Sequence, residues 1–203
     1  MTNNIMKTFK LATPEIINDG VAWYSKAKKA CRLIAKDTGL RLEYVVGAVS
    51  ALSPNNKWNQ NVIDARKLCE VFVLGGDVDS VKVCTYGAMK RKALIILELS
   101  KVGRFSNKNI KSILSGQKIT AFYECIMGED SCCIDGHAKN IYTGVRYNLT
   151  DPKTNVTKGE FKVIRSAYID TAKAVNKKLG TKYKAYHIQA ITWVAWRIAH
   201  GIA

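Results

Sequence analysis

The sequence has few acidic residues, and this shortage is its clearest compositional feature. Its 203 residues include 16 Asp and Glu against 32 Lys and Arg, which gives a formal net charge of +16 at pH 7. An excess this large favours a polyanionic partner. Basic residues such as Lys26, Lys28, Lys29 and Arg32 lie within patterned segments rather than in a tail, so we expect the charge on a folded surface.

Signals for a membrane, for secretion and for a metal are also missing. The longest apolar runs are too short to span a bilayer, and no long segment combines a basic face with an exposed aromatic one. The first ten residues lack the apolar stretch of a secretory signal, so the expected location is the cytoplasm, at the nucleoid or in a host cell. The six cysteines form no C-x-x-C pair and no Cys/His spacing suited to zinc. We therefore expect buried, reduced thiols, no metal and no cofactor.

No segment alternates convincingly at period two, whereas most of the chain shows helical periodicity, which predicts an all-α fold. Thr13, Pro14 and Glu15 form a good helix start, and Thr157 with Glu160 forms a capping box that opens a long helix. Helices are predicted over about residues 13–38, 42–52, 59–74, 90–99, 107–114, 119–127, 157–179 and 186–200.

The chain contains no internal repeat, and its length suits a single domain built of two lobes. We expect a domain over residues 1–203 with a core at about 41–146, and with the helix at 13–38 and the helices at 157–200 packed as a second lobe. The best candidate linker is the segment 147–156, which is rich in Asn, Asp and Pro.

The segment from Leu114 to Gly144 carries the main functional signal. Two short predicted helices flank the turn Ser115-Gly116-Gln117-Lys118, where a glycine lets the backbone approach a partner. The first amides of the second helix can then bind a phosphate oxygen. This is how a hairpin of helices holds DNA without reading its sequence. The candidate DNA-binding residues are Ser115, Gly116, Gln117, Lys90, Lys92, His137 and Lys139.

Further along the chain, Asp135 stands at a predicted helix start in the run I-D-G-H-A-K-N-I. From spacing alone, Asp135 is equally a catalytic carboxylate or only an N-cap for the helix that holds His137 and Lys139. Both interpretations remain open at this stage.

The run L-S-G-Q-K-I-T-A followed by I-D-G-H-A-K-N-I resembles the helix-hairpin-helix DNA glycosylase superfamily, of endonuclease III-like HhH-GPD fold. That superfamily has the pattern Leu-Pro-Gly-x-Gly-x-Lys-Thr-Ala and then Val-Asp-Thr-His. Residues 86–93 and 49–53 resemble two of its upstream blocks, in the same order. Here the hairpin lacks the second glycine, and Ser115 replaces the usual proline. The terminal cysteine cluster of some members is absent, so no iron–sulfur cluster is expected.

The resemblance implies a two-lobed helical bundle that removes a flipped damaged or modified base from DNA, as in base-excision repair. It implies that Asp135 is the essential carboxylate, which stabilises the oxocarbenium-like sugar or deprotonates the nucleophile. Lys118 corresponds to a lysine that in some members attacks the sugar and later nicks the strand, an AP-lyase activity. A phosphate-binding or solvated Lys118 is the alternative, and His137 is more typical of a structural hydrogen bonder.

A second polar segment, residues 53–60, combines amides with an aromatic ring. Asn55, Asn56 and Trp58 are the candidate base pocket, since such residues can fill a gap in a duplex or read a flipped base. A capped turn with Trp58 in the core is equally compatible with the sequence. Near the C-terminus, Gln189, Trp193 and Arg197 form a polar and aromatic edge on an apolar helix, although a core role is expected for Trp193 and Trp196.

Two other functions stay open beside the glycosylase. A same-fold enzyme can alter a modified pyrimidine without releasing it, and a non-catalytic protein can keep the hairpin and the charge without the reaction. In each case the expected partner is double-stranded DNA, the expected state is a monomer, and no membrane is involved.

Overall fold

A computed structural model describes residues 2–102 and 106–202. Over these two ranges the chain forms ten α-helices and one 3-10 helix, and no strand. The predicted all-α class is confirmed. The helices are α1 (Thr2–Lys10), α2 (Pro14–Thr38), α3 (Leu42–Ala51), α4 (Trp58–Val73), α5 (Gly87–Lys101), α6 (Asn107–Leu114), α7 (Gln117–Met127), α8 (Gly136–Thr143), α9 (Lys158–Leu179) and α10 (Ala185–Ala199), with the 3-10 helix at Pro152–Thr154. None of these described helices is both long and apolar enough to cross a bilayer.

The ends of the predicted helices follow local capping chemistry. The Thr157 hydroxyl accepts the Glu160 amide while the Glu160 carboxylate accepts the Thr157 amide, so the predicted capping box is confirmed. Gly39 and Gly75 adopt positive φ just after α2 and α4, as glycines at helix C-termini commonly do. The helix α5 begins at Gly87, three residues earlier than its apolar pattern alone predicts.

The helix α1 was not among the predicted elements. Ile5 and Phe9 lie one turn apart and are almost fully buried, at 0% and 6% exposure. They give α1 one apolar face, which packs against α8, α9 and α10. The helix is only nine residues long and its remaining residues are mainly polar, so its apolar face rests on few residues and was overlooked in the sequence.

The chain divides into two compact units. Unit 1 comprises residues 1–24 and 128–203, and unit 2 comprises residues 25–127. The expected lobe borders, near residues 41 and 146, differ from these. One border between the units falls inside the continuous helix α2, where no turn signal in the sequence marks it. Residues 147–156 connect α8 to α9, and both of these helices belong to unit 1.

Unit 1 packs α1, α8, α9, α10 and the first part of α2 around a common core. Gly20 allows the closest approach, because a Cβ atom at that position would lie 2.5 Å from the Ile191 Cα. The Tyr24 hydroxyl donates to Gln189 Oε1 over 2.9 Å, and both residues are buried. Gln189 therefore supports the core of unit 1 rather than lining an open surface.

Unit 2 is organised around α3, whose residues from Tyr44 to Ala51 are all buried. This helix packs against α4, α5, α6 and α7, which explains why its sequence is almost wholly apolar. At Gly47 a Cβ atom would lie 2.9 Å from Ile96 Cγ2 and 3.0 Å from Ile110 Cγ2, so this glycine brings α3 against α5 and α6. The hairpin of α6 and α7 thus packs against the buried helix α3.

None of the six cysteines forms a disulfide, and all except Cys84 are buried, so the prediction of buried thiols is confirmed for five of them. Burial raises the pKa of Cys31 to about 12 and that of Cys69 to about 12. These two thiols therefore stay protonated and serve as small apolar packing groups.

Candidate functional site

Asp135 is the N-cap of α8. Its backbone is extended, and its Oδ1 accepts a hydrogen bond of 2.8 Å from the Ala138 amide. The N-cap interpretation is therefore confirmed. A carboxylate offers about four acceptor positions, so one cap bond leaves capacity for a further partner. Asp135 as a whole residue is partly exposed.

The residues that precede and follow Asp135 in the chain are closely packed. The preceding residues from Ser131 to Ile134 are all buried. The following Gly136 meets the segment after α8 so closely that a Cβ atom there would lie 2.9 Å from Leu149 Cδ2. Burial raises the pKa of Tyr168 well above its usual value, and the nearby Cys132 and Asp135 shift it in the same direction. Tyr168 is thus a neutral, fully buried neighbour of Asp135.

Three partly exposed rings, those of Trp23, His137 and Trp193, and the guanidinium of Arg197 form a group that we call the aromatic cluster. The Trp193 ring meets the His137 ring edge-on at 6.4 Å and the Trp23 ring edge-on at 6.1 Å between centroids. The Arg197 guanidinium lies over the Trp193 ring, with 4.3 Å from its Cζ to the centroid. His137 lies two residues after Asp135 along the chain, in the first turn of α8. Partly exposed rings with a stacked cation are the groups on which nucleobases stack.

The aromatic cluster was only partly foreseen from the sequence. The expected core role is confirmed for Trp196, which is 7% exposed, whereas Trp193 is only partly buried. Trp23 was missed because it precedes Tyr24, a residue of the apolar stripe of α2, and its neighbour Trp193 is far away in the chain. Only the packing of α10 against the first part of α2 reveals the pair.

The turn between α6 and α7 is tight. Ser115 adopts a left-handed conformation with φ 53°, Gly116 follows it, and α7 begins at Gln117. Thr120 donates the first backbone hydrogen bond of α7, to Gly116 O, over 2.9 Å. The amides before Thr120 therefore lie at the open N-terminal end of α7. A serine takes the left-handed position in a turn where the resembled pattern supplies two glycines.

Lys92 fixes this turn from α5. Its Nζ donates to Leu114 O over 2.6 Å and to Ser115 Oγ over 2.8 Å. A cation at the Leu114 carbonyl also complements the negative end of the α6 dipole. Lys92 therefore acts first on the protein's own backbone, and any contact with DNA would come in addition.

Two further candidate lysines are likewise engaged inside the protein. Lys90 Nζ donates to Asp79 O over 2.9 Å. Lys139 Nζ donates to Asn155 O over 2.6 Å and pairs with Glu160 Oε1 over 2.7 Å, and its side chain is only 15% exposed. The hydrogen bond from Lys139 is the largest of the influences that lower the pKa of Glu160 to about 2. Lys139 thus ties α8 to the start of α9.

The 53–60 segment is organised by a buried acid, Asp64, which is 3% exposed. Its carboxylate accepts from Asn56 Nδ2 over 2.9 Å, from Gln60 Nε2 over 2.7 Å and from the Cys84 amide over 2.7 Å. The amide group of Asn56 therefore holds the loop together. Asn55 has a left-handed backbone, is exposed, and donates from Nδ2 to the Tyr86 hydroxyl.

Trp58 connects this segment to the hairpin. Its ring meets the Phe122 ring edge-on, with 6.4 Å between centroids, and both side chains are partly exposed. Phe122 lies four residues after the exposed Lys118 on α7, so the two share one face of that helix. Trp58 of the candidate base pocket therefore contacts α7, the helix that also carries the candidate nucleophile Lys118.

The sequence-derived residues fall into two groups. Asp135, His137 and Lys139 belong to unit 1, together with the aromatic cluster. The hairpin, the 53–60 segment, Lys90 and Lys92 belong to unit 2. Among the described residues, no group of three or more His, Cys, Asp or Glu side chains is arranged to hold a metal ion.

Comparison with known proteins gives a family but no characterised relative. No curated protein and no solved structure matches the chain. A family described as being of unknown function matches residues 1–200, almost the whole chain. The protein therefore belongs to the DUF7178 family.

Proposed function

We propose that the protein binds duplex DNA and acts as a DNA glycosylase on a flipped base, with Asp135 as the essential carboxylate. The observation that carries the proposal is the setting of Asp135. Its carboxylate accepts the Ala138 amide, the residue is partly exposed, and His137 of the aromatic cluster follows two residues later along the chain. Cleavage of the N-glycosidic bond of a flipped nucleotide calls for a fixed carboxylate and for surfaces on which bases can stack.

DNA binding is supported by charge and by the hairpin. The net charge of +16 favours a polyanion, and binding through phosphates releases counterions. At the hairpin, the amides at the start of α7 lie beside the exposed Ser115 and Lys118. The order of the hairpin and the Asp135 block also resembles the helix-hairpin-helix glycosylases. This is the basis for proposing the finer HhH-GPD fold as well.

The proposed chemistry assigns a role to each group near Asp135. As the bond between base and sugar breaks, positive charge develops on the sugar, and a carboxylate stabilises it or activates the attacking water. The Trp193 ring with its stacked Arg197 offers a surface for the displaced base or for a neighbouring one. His137 holds an edge of this surface through its contact with Trp193.

Lys118 has two roles to choose between. As a nucleophile, its unprotonated amine would attack the sugar carbon, form a Schiff base and lead to strand nicking. As a phosphate ligand, it would act as a point charge at the hairpin. Its place on α7 beside Phe122 and Trp58 suits either role. Borohydride trapping separates them, because a covalent adduct that survives Lys118→Ala excludes the nucleophile role.

A non-catalytic DNA-binding protein is the second candidate. The specific observation that favours it is the cap bond from Ala138, which accounts for an Asp at position 135 without any reaction. For either function we propose that the protein acts as a monomer in the cytoplasm, where bacterial or viral DNA is accessible.

The test uses duplexes that each carry one damaged or modified base. Wild type and Asp135→Asn are incubated with each duplex, and abasic sites, nicks and altered bases are scored. Asp151→Asn is a matched control, since Asp151 is also an N-cap that accepts an amide, that of Lys153, over 2.8 Å. Abasic sites from wild type and Asp151→Asn but not from Asp135→Asn support the glycosylase. An altered base without release would instead indicate modification, and equal binding without any reaction would favour the non-catalytic protein.

A further inference from the structure

A cleft in unit 1 has no part in the proposed reaction. It has a volume of about 210 Å³ and lies between α9 and the segments at 130–131 and 183–185. Three cations line it, Arg165, Lys173 and Lys184, against one carboxylate, that of Asp130. The lining therefore carries a net positive charge in a concave, water-accessible setting, which concentrates anions.

Arg165 is the central group of this cleft. Its Nη2 donates to the backbone carbonyl of Asp130 over 3.2 Å, and its Nε is buried with no hydrogen-bond partner among the described residues. No described carboxylate forms an ion pair with Arg165. A guanidinium has five N–H donors in a planar fork that matches a phosphate, so most of its donor capacity remains for a ligand.

The two lysines extend this positive lining. Lys184 is exposed and makes no ion pair with a described carboxylate, while Lys173 pairs only loosely with Asp170, at 4.0 Å. Asn176 stabilises the rim by accepting from the Tyr183 amide at Oδ1 and donating to Tyr183 O from Nδ2, each over 2.8 Å. The rim that presents Tyr183 and Lys184 is therefore fixed by side-chain bonds rather than left as a loose loop.

The uncharged residues that line the cleft indicate what kind of organic group is attached to the anion. Ile169, Ala172 and Ala185 are apolar members of the lining, and Tyr183 also lines the cleft. The space is smaller than a typical site for a drug-sized ligand. It suits a phosphate group together with part of an attached organic group, while the rest reaches solvent.

From these groups we infer that the cleft is a phosphate-ester site, which binds the phosphate of a nucleotide through Arg165, Lys173 and Lys184. The phosphate comes either from a free mononucleotide or from the backbone of a DNA strand. This site is distinct in its residues from Asp135 and from the hairpin. The inference does not depend on the proposed glycosylase activity.

The experiment measures binding by calorimetry at low salt with thymidine 5′-monophosphate, thymidine and a short single-stranded oligonucleotide without terminal phosphates. Arg165→Gln and Lys184→Gln remove charge from the cleft. Lys162→Gln is the matched control, because Lys162 lies exposed on the same helix α9 and does not line the cleft. Since Arg165 also holds Asp130 O, circular dichroism checks folding, and Lys184→Gln decides the result if Arg165→Gln unfolds.

We expect Arg165→Gln to weaken binding by about tenfold or more, and Lys184→Gln by a few-fold, with Lys162→Gln close to wild type. If the cleft variants lose binding of the mononucleotide, the ligand is a free nucleotide. If they lose binding of the oligonucleotide alone, the ligand is the DNA backbone. Thymidine without its phosphate should not bind measurably. The inference is overturned if neither phosphate-containing probe binds wild type, or if the cleft variants bind both probes as tightly as Lys162→Gln.

Discussion

The carboxylate of Asp135 accepts the Ala138 amide over 2.8 Å at the first turn of α8. Asn caps a helix about as well as Asp, whereas Ala does not. We therefore expect Asp135→Ala to lower the free energy of unfolding by about 1 kcal/mol, and Asp135→Asn to change it by less than about 0.5 kcal/mol. Urea unfolding followed by circular dichroism measures both. An equally large loss in both variants would show that the negative charge itself stabilises the fold.

Lys118 should contribute to DNA binding through phosphate contact whichever chemical role it has. Each phosphate contact adds about 0.9 to the slope of log K against log salt concentration. We expect Lys118→Gln to weaken binding to all duplexes and to reduce this slope by about 1. Fluorescence anisotropy over a salt series gives the slope. Lys67→Gln, an exposed lysine on α4, is the control, and a slope equal to that of the control would remove Lys118 from the interface.

The left-handed backbone conformation of Ser115 should lower the free energy of unfolding. Ser115→Gly and Ser115→Ala both lose the hydrogen bond from Lys92, so the comparison between them isolates the backbone conformation. We expect Ser115→Gly to be more stable than Ser115→Ala by about 1 kcal/mol, because only glycine adopts positive φ without strain. Denaturant unfolding of the two variants provides the measurement. Equal stability would mean that the turn adopts another conformation in solution.

Glu160 should make stability depend on pH in the acid range. Lys139 and Thr157 lower the folded-state pKa of Glu160 to about 2, whereas an unfolded glutamate titrates near about 4.3. The stabilisation is therefore fully present above the unfolded pKa and is lost as the pH falls towards 2.

The test compares wild type with Glu160→Gln across pH 6 to pH 2. Because Glu160 is 39% exposed, we expect a difference of only about 1 kcal/mol above pH 5, shrinking towards zero near pH 2. Glu98→Gln removes an exposed ion pair with Lys101 and should have little effect. A difference between wild type and Glu160→Gln that stays constant with pH would contradict the assigned pairing.

Much of the helical framework is predictable because its signals are local. Thr157 with Glu160, and the glycines Gly39 and Gly75, mark helix ends through bonds within a few residues. The apolar run of α3 predicts its own burial. The N-cap role of Asp135 was likewise one of the two interpretations that its position permits.

The side-chain partners were not predictable because they come from distant parts of the chain. Lys92 meets Ser115 across two helices, and Lys139 meets Glu160 only after α8 and α9 pack together. From the sequence alone, such lysines are expected to be surface cations available to DNA. Trp23 was missed for the same reason, since its neighbour Trp193 lies on the last helix.

The most direct test of the account is the single-turnover rate of base release from a reactive duplex, measured for wild type and Asp135→Asn. We expect Asp135→Asn to release the base about a hundredfold or more slowly than wild type, while its affinity for the duplex stays within about twofold. Asp151→Asn should retain the wild-type rate. Equal rates for wild type and Asp135→Asn would contradict the central claim that Asp135 is the essential carboxylate.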